Sequence, residues 1–195
     1  MRLTEVKMEA LEAIETRRSI RKYKSDPIDD KTVELVLEAG RRAPSWANTQ
    51  CWRFIVVRDN KMKAKVADTL FRRPGGFENP ATEAVSTVPV LIIICAQMGK
   101  SGCRPDGEIV TEKGDWYMFD AALAVQNMVL AAHALGLGTV ILGAFDAPKA
   151  AEILGVPDGY SLVTLFPLGY PDEKPGPRPR KELDEIVFHD RFGVR

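Results

Sequence analysis

The run "VPVLIIICA", residues 88–96, limits most narrowly what this chain can fold into. It offers water no polar face at either parity, and its length suits a strand but falls far short of the roughly 20 residues that span a bilayer. It predicts a strand buried on both faces at the centre of a sheet. Such a strand needs a covering layer on each side.

The flanking segments supply those layers. "WRFIVVRD", "TVILGAF" and "YSLVTLFPLGY" are rich in β-branched and aromatic residues over strand-like lengths. Helical spacing predicts an amphipathic helix over Met8–Thr16, with Met8, Leu11 and Ile14 three apart. A second helix opens at the acidic pair Asp29 and Asp30, presents Val33, Val36 and Leu37, and closes at Gly40 and Pro44. "KMKAKVADTLF" returns to helical spacing, and "GDWYMFDAALAVQNMVLAAHALG" runs without proline to Gly136, which predicts a long, mostly buried helix. Pro148 suits the first turn of a short helix. The glycines and prolines of "FRRPGGFENP" predict a loop, either a lid over residues 72–80 or a plain connection. The alternation predicts an α+β chain, a three-layer α/β/α sandwich in one domain over residues 1–195. The tail from residue 171 opens with four prolines in nine residues and lacks the apolar surface for its own core. It reads as an extended C-terminal arm, 171–195, laid over something else.

Charge excludes several partners. The 27 Lys+Arg are matched by 27 Asp+Glu, so the general positive field of a nucleic-acid binder is missing. The N-terminus interrupts its apolar residues with glutamates, so neither a secretory leader nor a membrane span is expected. Three cysteines, an odd count without a C-x-x-C pair, argue against a disulfide framework or a zinc site and fit a reducing cytoplasm.

Against that neutral background "ETRRSIRKYKSD" places five cations around Ser19. Guanidinium groups offer fork-shaped donors to phosphate, and a serine hydroxyl adds a short neutral one. Two readings stay open: a phosphate monoester site, or a solvated basic turn paired with Glu15 and Asp26. A second segment, "APSWANTQCWRF", carries the amides of Asn48 and Gln50 beside Trp52. Amides can pair with the carbonyl and N–H edge of a flavin, or simply line a polar loop.

"RRSIRKY", "APSWANTQCWRF", "LGLGTVILGAF" and "PLGYPDEKPGPRPRKELDEIVFHDRFG", in this order and spacing, resemble the nitroreductase family of FMN-dependent enzymes over nearly the whole chain. The resemblance implies a central, mainly antiparallel sheet and a homodimer whose exchanged C-terminal arms help hold each FMN at the interface. Arg17, Arg18 and Ser19 match contacts to the phosphate and ribityl chain, and Arg21 the basic residue near N1 of the ring. Pro44, Ser45, Trp46, Asn48 and Gln50 match the segment through which the second subunit meets the flavin. The backbone of Ile141, Leu142 and Gly143 matches the strand end near N5, and Arg178 and Arg180 the C-terminal cations that close on the phosphate.

The implied activity is electron transfer from NADH or NADPH to nitroaromatic, quinone or related acceptors by a ping-pong mechanism. The ring does the chemistry, so no catalytic nucleophile or metal is expected, and Arg21 would tune the ring by offsetting negative charge on reduction. The only G-x-G follows a helix and precedes a strand, the reverse of a dinucleotide-binding motif, so the nicotinamide donor would bind transiently. Other readings are a dehalogenating or flavin-fragmenting branch, a non-enzymatic FMN protein, and an anion-binding interaction domain. Cys51 departs from the family's usual proline; a small buried thiol is the expected role there and at Cys95. Cys103 is expected to be the most exposed of the three, His133 to be packed within the long helix, and Trp116, Tyr117 and Phe119 to line either a substrate face or the core.

Overall fold

A computed structural model describes residues 8–71 and 79–194. The apolar run forms β2 (Val90–Gln97), between β1 (Trp52–Val57) and β4 (Tyr160–Gly169). A two-residue β3 (Gly138–Thr139) follows β4 at the edge, so the order is β1-β2-β4-β3 and every pair is antiparallel. Period-2 alternation divides β2 between two apolar clusters. Val90, Ile92, Ile94 and Ala96 pack with residues of α2 (Asp30–Arg41) and α5 (Tyr117–Ala134). Leu91, Ile93 and Cys95 pack with residues of α3 (Asn60–Ala67), α4 (Pro80–Thr87) and α6 (Ala147–Leu154). A register shift between Ile94 and Cys95 sets two residues of β4, Val163 included, against one step of β2.

Local chemistry sets the helix ends. Asp29, Asp59 and Asp146 each accept a backbone N–H at the start of α2, α3 and α6, and Gly155 ends α6 in the left-handed region. α5 is apolar nearly all round, which suits a helix that touches the sheet, α2 and the short α1 (Ala10–Thr16).

Three expectations shift. Of "TVILGAF" only Thr139 is strand, as the second residue of β3; Leu142 then makes a single bridge to Leu165 and leaves Ile141 half exposed. The anticipated helix beyond twenty residues is 18 residues long, because Gly114–Trp116 lie outside it, after a turn closed by Gly114 N–H on Thr111 O. Within the predicted loop, Asn79 instead caps α4, accepting from Ala81 N–H at 3.0 Å, while residues 72–78 lie outside the described residues. Among the described residues, α7 (Leu183–Ile186) is the one helix of the C-terminal segment, whose apolar side chains Leu183, Ile186 and Phe192 face solvent.

Candidate functional site

The basic segment is extended, not helical. Ser19 bridges Thr139 in parallel, Ile20 N–H donates to Thr139 O at 2.9 Å, and the segment thus lengthens the sheet past β3. The start of the arm lies antiparallel to it: Lys24 N–H donates to Tyr170 O, Asp172 N–H to Lys22 O, and Tyr23 bridges Pro171. Glu173 completes the fastening, accepting from the main-chain N–H groups of Arg21 and Lys22. Sequence reading missed Glu173, whose role depends on two segments some 150 residues apart.

This pairing brings the two ends of the chain together. Arg17, Arg18, Ser19 and Arg21 share one cavity of about 690 Å³ with Arg178 and Arg180. Among the described residues no carboxylate forms an ion pair with any of these five arginines, so the pairing with Glu15 or Asp26 considered above is not made. Arg18 donates instead to the main-chain carbonyls of Glu15 and Arg17, at 2.8 and 2.7 Å. Five guanidinium groups and a hydroxyl around a space of this size suit a phosphorylated ligand.

A more apolar cavity of about 780 Å³ adjoins the first, sharing Arg17 and Arg18 and adding Ile20, Val129, His133 and Leu137. His133 is half-buried, as expected, and its Nε2 stands 2.8 Å from Thr16 Oγ1. That hydroxyl donates to Glu12 O at 2.6 Å, so the ring N–H is the donor to it. Burial, then the charges of Arg17 and Arg18, hold the imidazole below its ordinary pKa, with Glu12 opposing.

Ile141 and Gly143 are exposed just beyond the Ser19 bridge, and among the described residues their amides donate to no backbone carbonyl. Pro44, Ser45, Trp46, Asn48 and Gln50 lie apart from the arginines. Gln50 instead lines an open groove of about 1070 Å³ against α2, with Trp52 and Arg53. One chain therefore brings together the phosphate-type residues but not the polar turn.

That turn is unusual in its backbone. Ala47, Asn48 and Gln50 have φ of 44°, 57° and 47°, a region that costs non-glycine residues about 1–3 kcal/mol each. Ser45 Oγ accepts from Gln50 N–H at 2.9 Å, and the Asp120 carboxylate accepts from Trp46 N–H at 3.1 Å. Asp120, at 1% exposure, is the one buried carboxylate among the described residues. Cys51 is 1% exposed, and burial, then the Asp120 charge, pushes its thiol up to about 11, which fits an inert packed side chain. Cys95 is also buried, with its thiol pushed up to about 11 by burial, and Cys103 is the least buried of the three.

The nitroreductase family model matches residues 14–170, four-fifths of the sequence and every element from the basic segment to the end of β4. The chain belongs to the nitroreductase family. A relative from Methanothermobacter thermautotrophicus is 34% identical over 184 residues, covering 92% of this chain and 86% of its own length; its name proposes an NADH dehydrogenase/NAD(P)H nitroreductase. Iodotyrosine deiodinase 1 of Rattus norvegicus is 30% identical over 92% of this chain and 68% of its own length. Among solved structures, an FMN-dependent nitroreductase from Clostridium difficile R20291 aligns with TM-score 0.73 and 26% identity, over 92% of this chain and 98% of that one. Within this chain, no described helix is long and apolar enough to cross a membrane.

Proposed function

We propose that this chain is an FMN-dependent NAD(P)H oxidoreductase that acts as a cytoplasmic homodimer on nitroaromatic, quinone or related acceptors. The cavity that gathers Arg17, Arg18, Ser19 and Arg21 with Arg178 and Arg180 carries the reading. Membership of a family that contains an FMN-dependent nitroreductase supports it. Arg17, Arg18, Ser19, Arg178 and Arg180 would hold the phosphate, and Arg21 would offset negative charge near the ring. Free backbone amides at Ile141 and Gly143 would face the ring, and the Pro44–Gln50 segment of a second copy would close over it. Bound FMN would supply the two-electron chemistry, one acceptor at a time.

The remaining expectations belong to the same proposal. Apolar clusters on both faces of the sheet support a three-layer sandwich forming one domain over 1–195. The exposed apolar side chains of the arm, 171–195, support its exchange between subunits. No dinucleotide motif is present, so NADH or NADPH would bind transiently and leave before the acceptor enters.

The decisive experiment titrates apoprotein with FMN and, in parallel, with riboflavin, which lacks the phosphate. A hydrogen bond to a charged group contributes about 1.5–3 kcal/mol, so Arg17→Ala and Arg180→Ala should each weaken FMN binding about 10–100-fold. Riboflavin binding should be unchanged. A protein that stays colourless in excess FMN, or that binds riboflavin as tightly, would sink the proposal. Steady-state rates with either nicotinamide donor should give parallel double-reciprocal lines, whereas a flavoprotein that neither donor bleaches would be a non-enzymatic FMN carrier. The deiodinase relative favours a second reading, reductive dehalogenation, so the acceptor panel should include a halogenated phenol.

A further inference from the structure

We propose that Asp120 is a positioning residue, acting through the Trp46–Gln50 turn on the ring end of the bound cofactor. The inference rests on the flavin reading above. Asp120 lies in the first turn of α5, yet its carboxylate serves two separate segments, residues 46–51 and the loop at Ser101. Trp46 N–H lies 3.1 Å from both of its oxygens, and Ser101 Oγ and Thr49 Oγ1 donate to Oδ2 at 2.5 and 3.4 Å. The Cys51 thiol approaches the same oxygen at 3.9 Å. Each partner can donate to the carboxylate, and Trp46 N–H can only donate.

Burying a carboxylate costs several kcal/mol for want of a hydrogen-bond donor. The turn supplies one. Left-handed backbone is unfavourable at Ala47 and Gln50, though tolerated at Asn48, and persists there only where surrounding contacts determine it. Asp120 holds the turn at its first residue, Trp46, and again at Thr49. Asn48 and Gln50 are thereby presented to solvent with their side chains hydrogen-bonded to each other at 3.3 Å. The same anchor orients an aromatic row, because the Trp46 ring sits 5.3 Å from Trp116, which sits 5.2 Å from Phe119.

None of these residues lines the arginine cavity. The site therefore divides into a phosphate grip that Asp120 does not touch and a ring-reading turn that it controls. In a homodimer the turn would serve the cofactor held by the arginines of the other subunit.

Asp120→Asn tests this, since it preserves shape but turns an NH2 toward donors. In the full-length protein the substitution should weaken FMN binding by about tenfold or more. The affinity for inorganic phosphate, measured by calorimetry, should stay within about twofold of wild type, as expected of uncoupled sites. The near-UV circular dichroism of the apoprotein should lose part of its tryptophan signal as Trp46 and Trp116 lose their fixed packing. If Asp120→Asn does not fold, the pair Thr49→Val and Ser101→Ala removes two donors from the same carboxylate and should give the same pattern, with weaker FMN binding and a reduced tryptophan signal but phosphate affinity unchanged. Unchanged FMN affinity in a folded variant would overturn the inference, as would an equal fall in FMN and phosphate affinity. Wild-type protein that binds phosphate but not FMN would overturn the flavin reading and this inference together, a result visible without any variant.

Discussion

Gly138 is the residue on which the cavity's placement turns. A Cβ built there would lie 2.8 Å from both Cβ and Cγ1 of Ile20, so only a hydrogen lets the basic segment lie against β3. Gly138→Ala should cost about 1–3 kcal/mol by overpacking, read as a lower urea midpoint. Ile20→Ala in the same chain removes two of the three atoms that this Cβ would meet, Cγ1 and Cγ2, so the double variant should lose less than the sum of the two, with a coupling of at least about 0.5 kcal/mol. Strict additivity would mean that the two segments do not press on each other. Of the individual site residues, the arginines were legible in the sequence because charge density needs no fold to be noticed. Asp120 and Glu173 were not, since a carboxylate is remarkable only once its partners are known, and those lie up to 74 and 152 residues away.

At the scale of elements, caps explain more than propensity does. α6 starts where Asp146 accepts from Lys149 N–H at 3.1 Å and donates its own N–H to Thr69 O at 2.8 Å. Asp146→Ala should cost about 0.5–2 kcal/mol, and Asp146→Asn much less, because either side-chain oxygen can cap. Thermal unfolding of both variants checks the difference; equal losses would place the effect in the carboxylate charge at the helix N-terminus rather than in the cap hydrogen bond. The buried strand and the long helix were readable from hydrophobic pattern alone. α4 was not, because its Thr and Ser residues are weak helix formers, although Asn79 followed by Pro80 was a start signal in plain view. β3 fell short of the strand predicted for "TVILGAF" because β4 is engaged by Leu142 through a lone bridge, and composition cannot report where a neighbour stops pairing.

For the whole molecule the question is what the arm does. Both apolar clusters that flank the sheet draw their buried residues from positions before 171, while Leu183 and Phe192 are 73% and 92% exposed. If the arm is exchanged as proposed, deleting residues 181–195 should therefore leave the fold of the chain intact and give a monomeric mass in light scattering where the full chain gives a dimeric one, with weaker FMN binding. A truncated protein that keeps its dimeric mass would refute arm exchange. Hydrophobic periodicity, charge density and the order of four motifs determined the family, the central strand and the arginines, because each is a property of neighbouring residues. Which distant segments meet was decided only by tertiary structure: the arm's pairing along residues 22–24, the shared cavity of both chain ends, and the buried carboxylate under a left-handed turn. Such contacts follow from simultaneous closure of long loops around a packed sheet, and no window of sequence contains both ends of the bond.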